Sequence, residues 1–101
     1  MERPDAPLCV IVLTYRVPLD QVDAKMKAHV AWLEQGYEQC IFLASGRRNP
    51  RTGGVILSRG DKAGVEALIA TDPFVSSGAA EAEVIAFTAS MAADGFAALL
   101  A

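Results

Sequence analysis

The stretch LCVIVLTY (Leu8–Tyr15) decides how the rest of the chain is read. It is almost continuously apolar and rich in β-branched residues, the composition of a buried strand. Strand side chains alternate between faces, so Val10 and Val12 point one way and Ile11 and Leu13 the other. An antiparallel sheet with one wet face would alternate apolar with polar residues. This strand asks for cover on both sides.

Outward from it, Pro18 and Asp20 predict a turn and a helix cap. Val22, Met26, His29 and Leu33 then recur at helical spacing, flanked by Val30 and Tyr37, and the helix should end near Gly36. CIFLASG (Cys40–Gly46) reads as a second strand, RRNPRTGG as a polar loop, and Val55–Ser58 as the centre of a third strand. DKAGVEALIAT predicts a second helix capped by Asp61, with Val65, Leu68 and Ile69 on one face. Pro73 disfavours helical geometry at Asp72, so that helix should stop there or just before. A fourth strand runs around Ala82–Thr88, and MAADGFAALLA reads as a short helical tail interrupted by Gly95.

The order β-α-β-β-α-β predicts an α+β fold, the ferredoxin-like plait: a four-stranded antiparallel sheet with helices on one face. The second and fourth strands repeat the two-sided apolar pattern, Ile41 and Leu43 against Phe42, and Val84 against Ile85. A second copy packing sheet to sheet is the expected cover, which makes the protein a homodimer. The expectation is a single domain over 1–101, with the plait at 7–90 and the tail at 91–101.

With 101 residues the chain can build one core. A hydrophobic content of 52% against 21% charged residues excludes a disordered tail. The net charge of -3 provides no long-range pull toward nucleic acid or anionic membrane. The aromatic residues lie inside apolar runs, not among basic ones, and no apolar run is long enough to span a bilayer. MERPDAP lacks the basic and apolar start of a secretory signal. Cys9 and Cys40 sit in apolar runs without metal-ligand spacing, and are expected to be buried thiols of a cytoplasmic protein.

Three polar features do not fit a plain core. His29, the only histidine, lies on the stripe facing the sheet, where a neutral core role competes with acid/base work. Asp72 either closes a helix through an Asx turn or orients that imidazole; a carboxylate at a helix C-terminus opposes the dipole. SGRRNPRTGG concentrates Arg47, Arg48 and Arg51, either solvated or holding an anionic ligand. Gly53 and Gly54 do not form a phosphate loop, Ser45 and Ser58 lack an adjacent base, and one histidine argues against a zinc centre.

HVAWLEQ (29–35), FLASG (42–46), PRTGGVIL (50–57), DPF (72–74) and EVIAFTAS (83–90), in this order, resemble the YCII-related family. The resemblance implies a plait dimerised as in the dimeric α/β-barrel superfamily, and a pocket with a histidine–aspartate pair. By motif these are His29 and Asp72, with Ser45 and Gly46 as the SG element and Pro50, Arg51, Gly53 and Gly54 as the loop. Similar sequences often carry proline and glutamine after the SG pair; this chain has Arg47 and Arg48. The wider superfamily includes isomerases, lyases and cofactor-independent oxygenases of small, often cyclic molecules.

The leading expectation is an isomerase or lyase that needs no cofactor or metal. His29 would act as general acid/base and Asp72 would orient it. Arg47 or Arg51, with backbone donors near Gly46, would steady negative charge on a small anionic or hydroxylated ligand. Trp32, Tyr37 and Phe74 are candidate pocket walls, and Ser45 a candidate ligand contact. The alternative is a non-catalytic dimeric module that binds a small metabolite or serves as an accessory.

Overall fold

A computed structural model describes residues 1–100. β1 (Ala6–Tyr15) is followed by α1 (Leu19–Glu38), then β2 (Phe42–Arg47), β3 (Gly53–Arg59), α2 (Lys62–Ile69), α3 (Pro73–Ser76), β4 (Ala80–Ala89) and α4 (Ala97–Leu100). The sheet order is β2-β3-β1-β4, and every pairing is antiparallel. The apolar segment Leu8–Tyr15 thus occupies an inner position, hydrogen-bonded on both edges. Helices cover one face, consistent with the ferredoxin-like plait.

The core between sheet and helices follows the strand parity. Cys9, Ile11 and Leu13 from β1 join Phe42, Ile56, Val65 and Ile69, and Trp32 and Leu33 of α1 pack against them. A second cluster of Val22, Phe74 and Ala80, with Tyr15 and Met26 beside it, closes the end of the sheet where β1 finishes. The other parity forms the uncovered face. There Val10, Val12 and Leu57 are half-buried, while Val55, Ile85 and Phe87 are 38%, 47% and 44% exposed.

Several boundaries differ from the sequence reading. Asp20 does not cap α1; Pro18 precedes the helix, and Asp20 sits in the first turn, where a carboxylate suits the helix dipole. α1 ends at Glu38, close to Gly36 as expected. Gly36 itself stays helical and buried, and a Cβ there would stand 2.2 Å from the Phe42 ring, so glycine permits the helix to approach β2. The chain turns at Cys40, which adopts a left-handed φ of 59° and is exposed rather than buried. Asp61 caps α2 as expected, accepting from the Gly64 amide at 2.8 Å. Among the described residues of the tail only Ala97–Leu100 is helical. Its preceding segment is tied to the N-terminus by the Glu2–Ala92 bridge and by the Gly95 amide donating to Glu2 Oε1 at 3.0 Å. Among the described residues no helix is long and apolar enough to cross a membrane.

Candidate active site

His29 reaches the site because the buried stripe of α1, through Val22 and Met26, faces the sheet. Asp72 arrives from the other side through a turn the sequence reading did not contain. Pro73 does more than stop α2: its fixed φ suits the first position of a new turn, α3, and Asp72 becomes that turn's N-cap. Asp72 Oδ1 accepts the Phe74 amide at 3.1 Å. The same oxygen lies 2.7 Å from His29 Nδ1. Capping and pairing are therefore not alternatives; one oxygen does both.

This geometry fixes the chemistry of the ring. Asp72 is completely buried and His29 is 8% exposed. A carboxylate that is ionised only accepts, so in that state Nδ1 donates the hydrogen bond to Asp72 and Nε2 keeps its lone pair. Phe74 stacks on the imidazole at 4.0 Å and 11°, which holds the ring plane. Trp32 lies nearly parallel at 6.0 Å and is itself anchored by its indole N–H donating to Thr71 Oγ1 at 2.9 Å. Asp72 Oδ2 is buried without a hydrogen-bond partner among the described residues, so the carboxylate's only polar ties run through Oδ1.

His29 lines a cavity of about 130 Å³. That is close to the roughly 150 Å³ of an engineered cavity that accepts benzene, so the space suits one six-membered ring. Met26, Val30 and Leu33 of α1 form an apolar side, with Leu13 and Phe74 beneath. Ser45, Gly46 and Arg47 of β2 and Gly53 and Gly54 of β3 form the opposite rim. Gly53 is required for this arrangement, since a Cβ would come within 1.7 Å of the Leu13 carbonyl oxygen. A broader hollow of about 440 Å³ at Ile41, Arg59 and Asp61 contains no histidine or cysteine.

The three loop arginines separate cleanly. Arg47 lines the cavity and has no hydrogen-bond or ion-pair partner among the described residues. Arg48 donates to Thr14 Oγ1 at 3.2 Å. Arg51 pairs with Asp23 at 2.5 Å and does not line the cavity. Asp23, with a smaller contribution from the Tyr15 phenol, holds the Arg51 guanidinium above its ordinary value. Ser45 lies at the rim with its Oγ 2.6 Å from the Tyr37 hydroxyl. Trp32 and Tyr37 stand behind the cavity lining, while Phe74 is part of it. Among the described residues no group of three or more His, Cys, Asp or Glu is placed to hold a metal.

Tyr15 lines the cavity as well, and sequence reasoning passed over it. A signal was present: Tyr15 shares the parity of Ile11 and Leu13, so it ends the first strand on the helix-covered side.

The fold is shared with a solved enzyme, 5-chloro-2-hydroxyhydroquinone dehydrochlorinase (TftG) from Burkholderia phenoliruptrix AC1100, determined in complex with 2,5-dihydroxybenzoquinone. The two structures agree with a TM-score of 0.64 at 21% identity, over 79% of this chain and 90% of that one. Comparison with curated proteins gives no match. The model of the YCII-related domain matches residues 8–88, which includes His29, the SG element, the loop glycines and Asp72; this chain belongs to the YCII-related family.

Proposed function

We propose that the protein is a small-molecule isomerase or lyase working by proton transfer, with His29 as the acid/base and Asp72 as its orienting partner. The observation that carries this reading is the 2.7 Å His29–Asp72 contact beside a ring-sized cavity, with Nε2 left free. Asp72 selects the tautomer and stabilises the imidazolium formed when Nε2 takes a proton. Arg47, uncommitted at the rim, anchors an anionic or hydroxylated ligand, and Ser45 with the backbone at Gly46 adds polar contacts. Phe74 forms a flat wall against a ring, and Trp32 backs the imidazole. Arg51 supports the rim through Asp23 instead of meeting the ligand. Proton abstraction followed by reprotonation or loss of a leaving group needs only these groups. The solved enzyme with the same fold is named as a dehydrochlorinase of a hydroxylated ring.

The assembly proposed with this site is a homodimer through the uncovered sheet face. Val10, Val12, Val55, Leu57, Ile85 and Phe87 offer a continuous apolar surface there. Hiding ~1,000 Å² of such surface contributes a gross ~25 kcal/mol before the costs of association. The compartment proposed is the cytoplasm, where Cys9 and Cys40 stay reduced.

The test is turnover of small hydroxylated rings, beginning with 5-chloro-2-hydroxyhydroquinone and following chloride release. Wild-type protein should act on a member of this class, and His29→Asn should lose about 10²–10⁴-fold. An undiminished rate in His29→Asn would remove the acid/base assignment. A ligand bound at the cavity and recovered unchanged would support the binding-module alternative.

A further inference from the structure

We propose that Tyr15 is a second catalytic group of this cavity, donating its phenolic proton to a carbonyl oxygen of the ligand while His29 removes a carbon-bound proton. The inference rests on the acid/base reading of His29 and adds the group that receives the charge His29 creates.

Position comes first. Tyr15 is the last residue of β1, lines the same cavity as His29 and is half-buried. Its ring meets Phe74 edge to face at 5.9 Å and 86°, and the same Phe74 stacks on His29 at 4.0 Å. One aromatic ring thus holds both titratable side chains at one end of the site.

The hydroxyl's environment comes second. Arg51, fixed by Asp23 and only 25% exposed at its side chain, is near enough to Tyr15 to feel its phenol. Asp23 and, less strongly, Tyr15 raise the proton affinity of that guanidinium. A guanidinium has donors and no acceptor, so it can meet the phenol only at the oxygen's lone pairs. The O–H proton is not used in that contact. Tyr15 donates no hydrogen bond to any other described residue. A cavity-lining hydroxyl whose proton no described residue accepts is available to donate to a ligand oxygen.

The step balances without a co-reactant. His29 Nε2 takes a proton from the carbon next to a ring carbonyl, and the C–H electron pair becomes a carbon–carbon π bond. The carbonyl π pair moves onto oxygen, which takes the Tyr15 proton and becomes an enol. When the enol collapses, by reprotonation at carbon or by loss of a β leaving group, its O–H proton returns to the tyrosinate. The imidazolium gives up its proton to the carbon or the leaving group.

The experiment measures deuterium exchange into cyclohexane-1,2-dione in heavy water by NMR, with wild type, Tyr15→Phe and His29→Asn. Phenylalanine keeps the edge contact with Phe74, and thermal melting checks that the variants are folded. Loss of one donor to a developing oxyanion predicts that Tyr15→Phe lowers kcat about 100-fold with little change in KM. Wild-type exchange rates in Tyr15→Phe, with His29→Asn inactive, would overturn the Tyr15 assignment and leave the His29 reading standing. Full exchange in His29→Asn, or wild-type protein no faster than buffer, would overturn both.

Discussion

Replacing Asp72 by alanine removes two interactions that share one oxygen, and the structure sets the expected loss. The cap on α3 disappears with the contact to the Phe74 amide, at about 1 kcal/mol. His29 Nδ1 then loses its 2.7 Å acceptor in a place where the side chain is only 10% exposed, leaving a buried polar group unsatisfied at about 1–3 kcal/mol. The total is about 2–4 kcal/mol, which for a domain of this size lowers the melting temperature by roughly 8–30 °C. Urea unfolding followed by circular dichroism, at one fixed protein concentration, should show the loss as a lower midpoint with an unchanged slope. Asp72→Asn removes the charge but keeps an oxygen that can accept from both the Phe74 amide and the His29 ring. Its NH2 group, however, falls where Oδ2 has no partner, so it should be less stable than wild type but more stable than the alanine variant. An alanine variant within 0.5 kcal/mol of wild type (about the spread of unimportant surface changes) would refute the reasoning, since the shared oxygen would then hold neither group.

Other consequences can be checked directly. Gly53→Ala places a methyl 1.7 Å from the Leu13 carbonyl oxygen, so β1 and β3 must separate, and a loss of more than about 3 kcal/mol is expected by chemical unfolding. Cys40 is exposed while Cys9 is sealed, and burial, then Asp61 and Glu66, push the Cys9 thiol up and away from its reactive thiolate. Native protein should therefore take one equivalent of a thiol reagent quickly and a second only on unfolding. Phe87→Glu puts a charge on the uncovered face, and light scattering should report a monomer for the variant and the proposed dimer for wild type; an unchanged dimer mass would move the interface elsewhere.

Much of this architecture was legible because it depends on periodicity. The two-sided apolar pattern of Val10–Leu13 gives an inner strand whichever elements surround it, and the stripe through Val22, Met26 and His29 aims the imidazole at the sheet. What escaped the reading depends on close approach. Gly36 looks like a helix stop, yet it is the point where α1 touches the Phe42 ring. Asp72 looks like the end of one helix, yet it begins another turn, and only the fold reveals that its oxygen has two donors. The roles of the arginines follow from partners far away in the chain: Asp23 claims Arg51, Thr14 claims Arg48, and Arg47 is left for the cavity. No local pattern encodes that division.

The chemistry proposed for the cavity depends on Asp72 holding His29 with its proton on Nδ1 and its lone pair on Nε2. With one histidine in the chain, a long-range proton–nitrogen NMR spectrum of uniformly labelled protein reports that ring without ambiguity. At a pH where the imidazole is neutral, the account predicts a protonated, strongly hydrogen-bonded Nδ1 and an unprotonated Nε2, with this preference lost in Asp72→Ala. A neutral ring protonated at Nε2, or a spectrum that Asp72→Ala leaves unchanged, would contradict it.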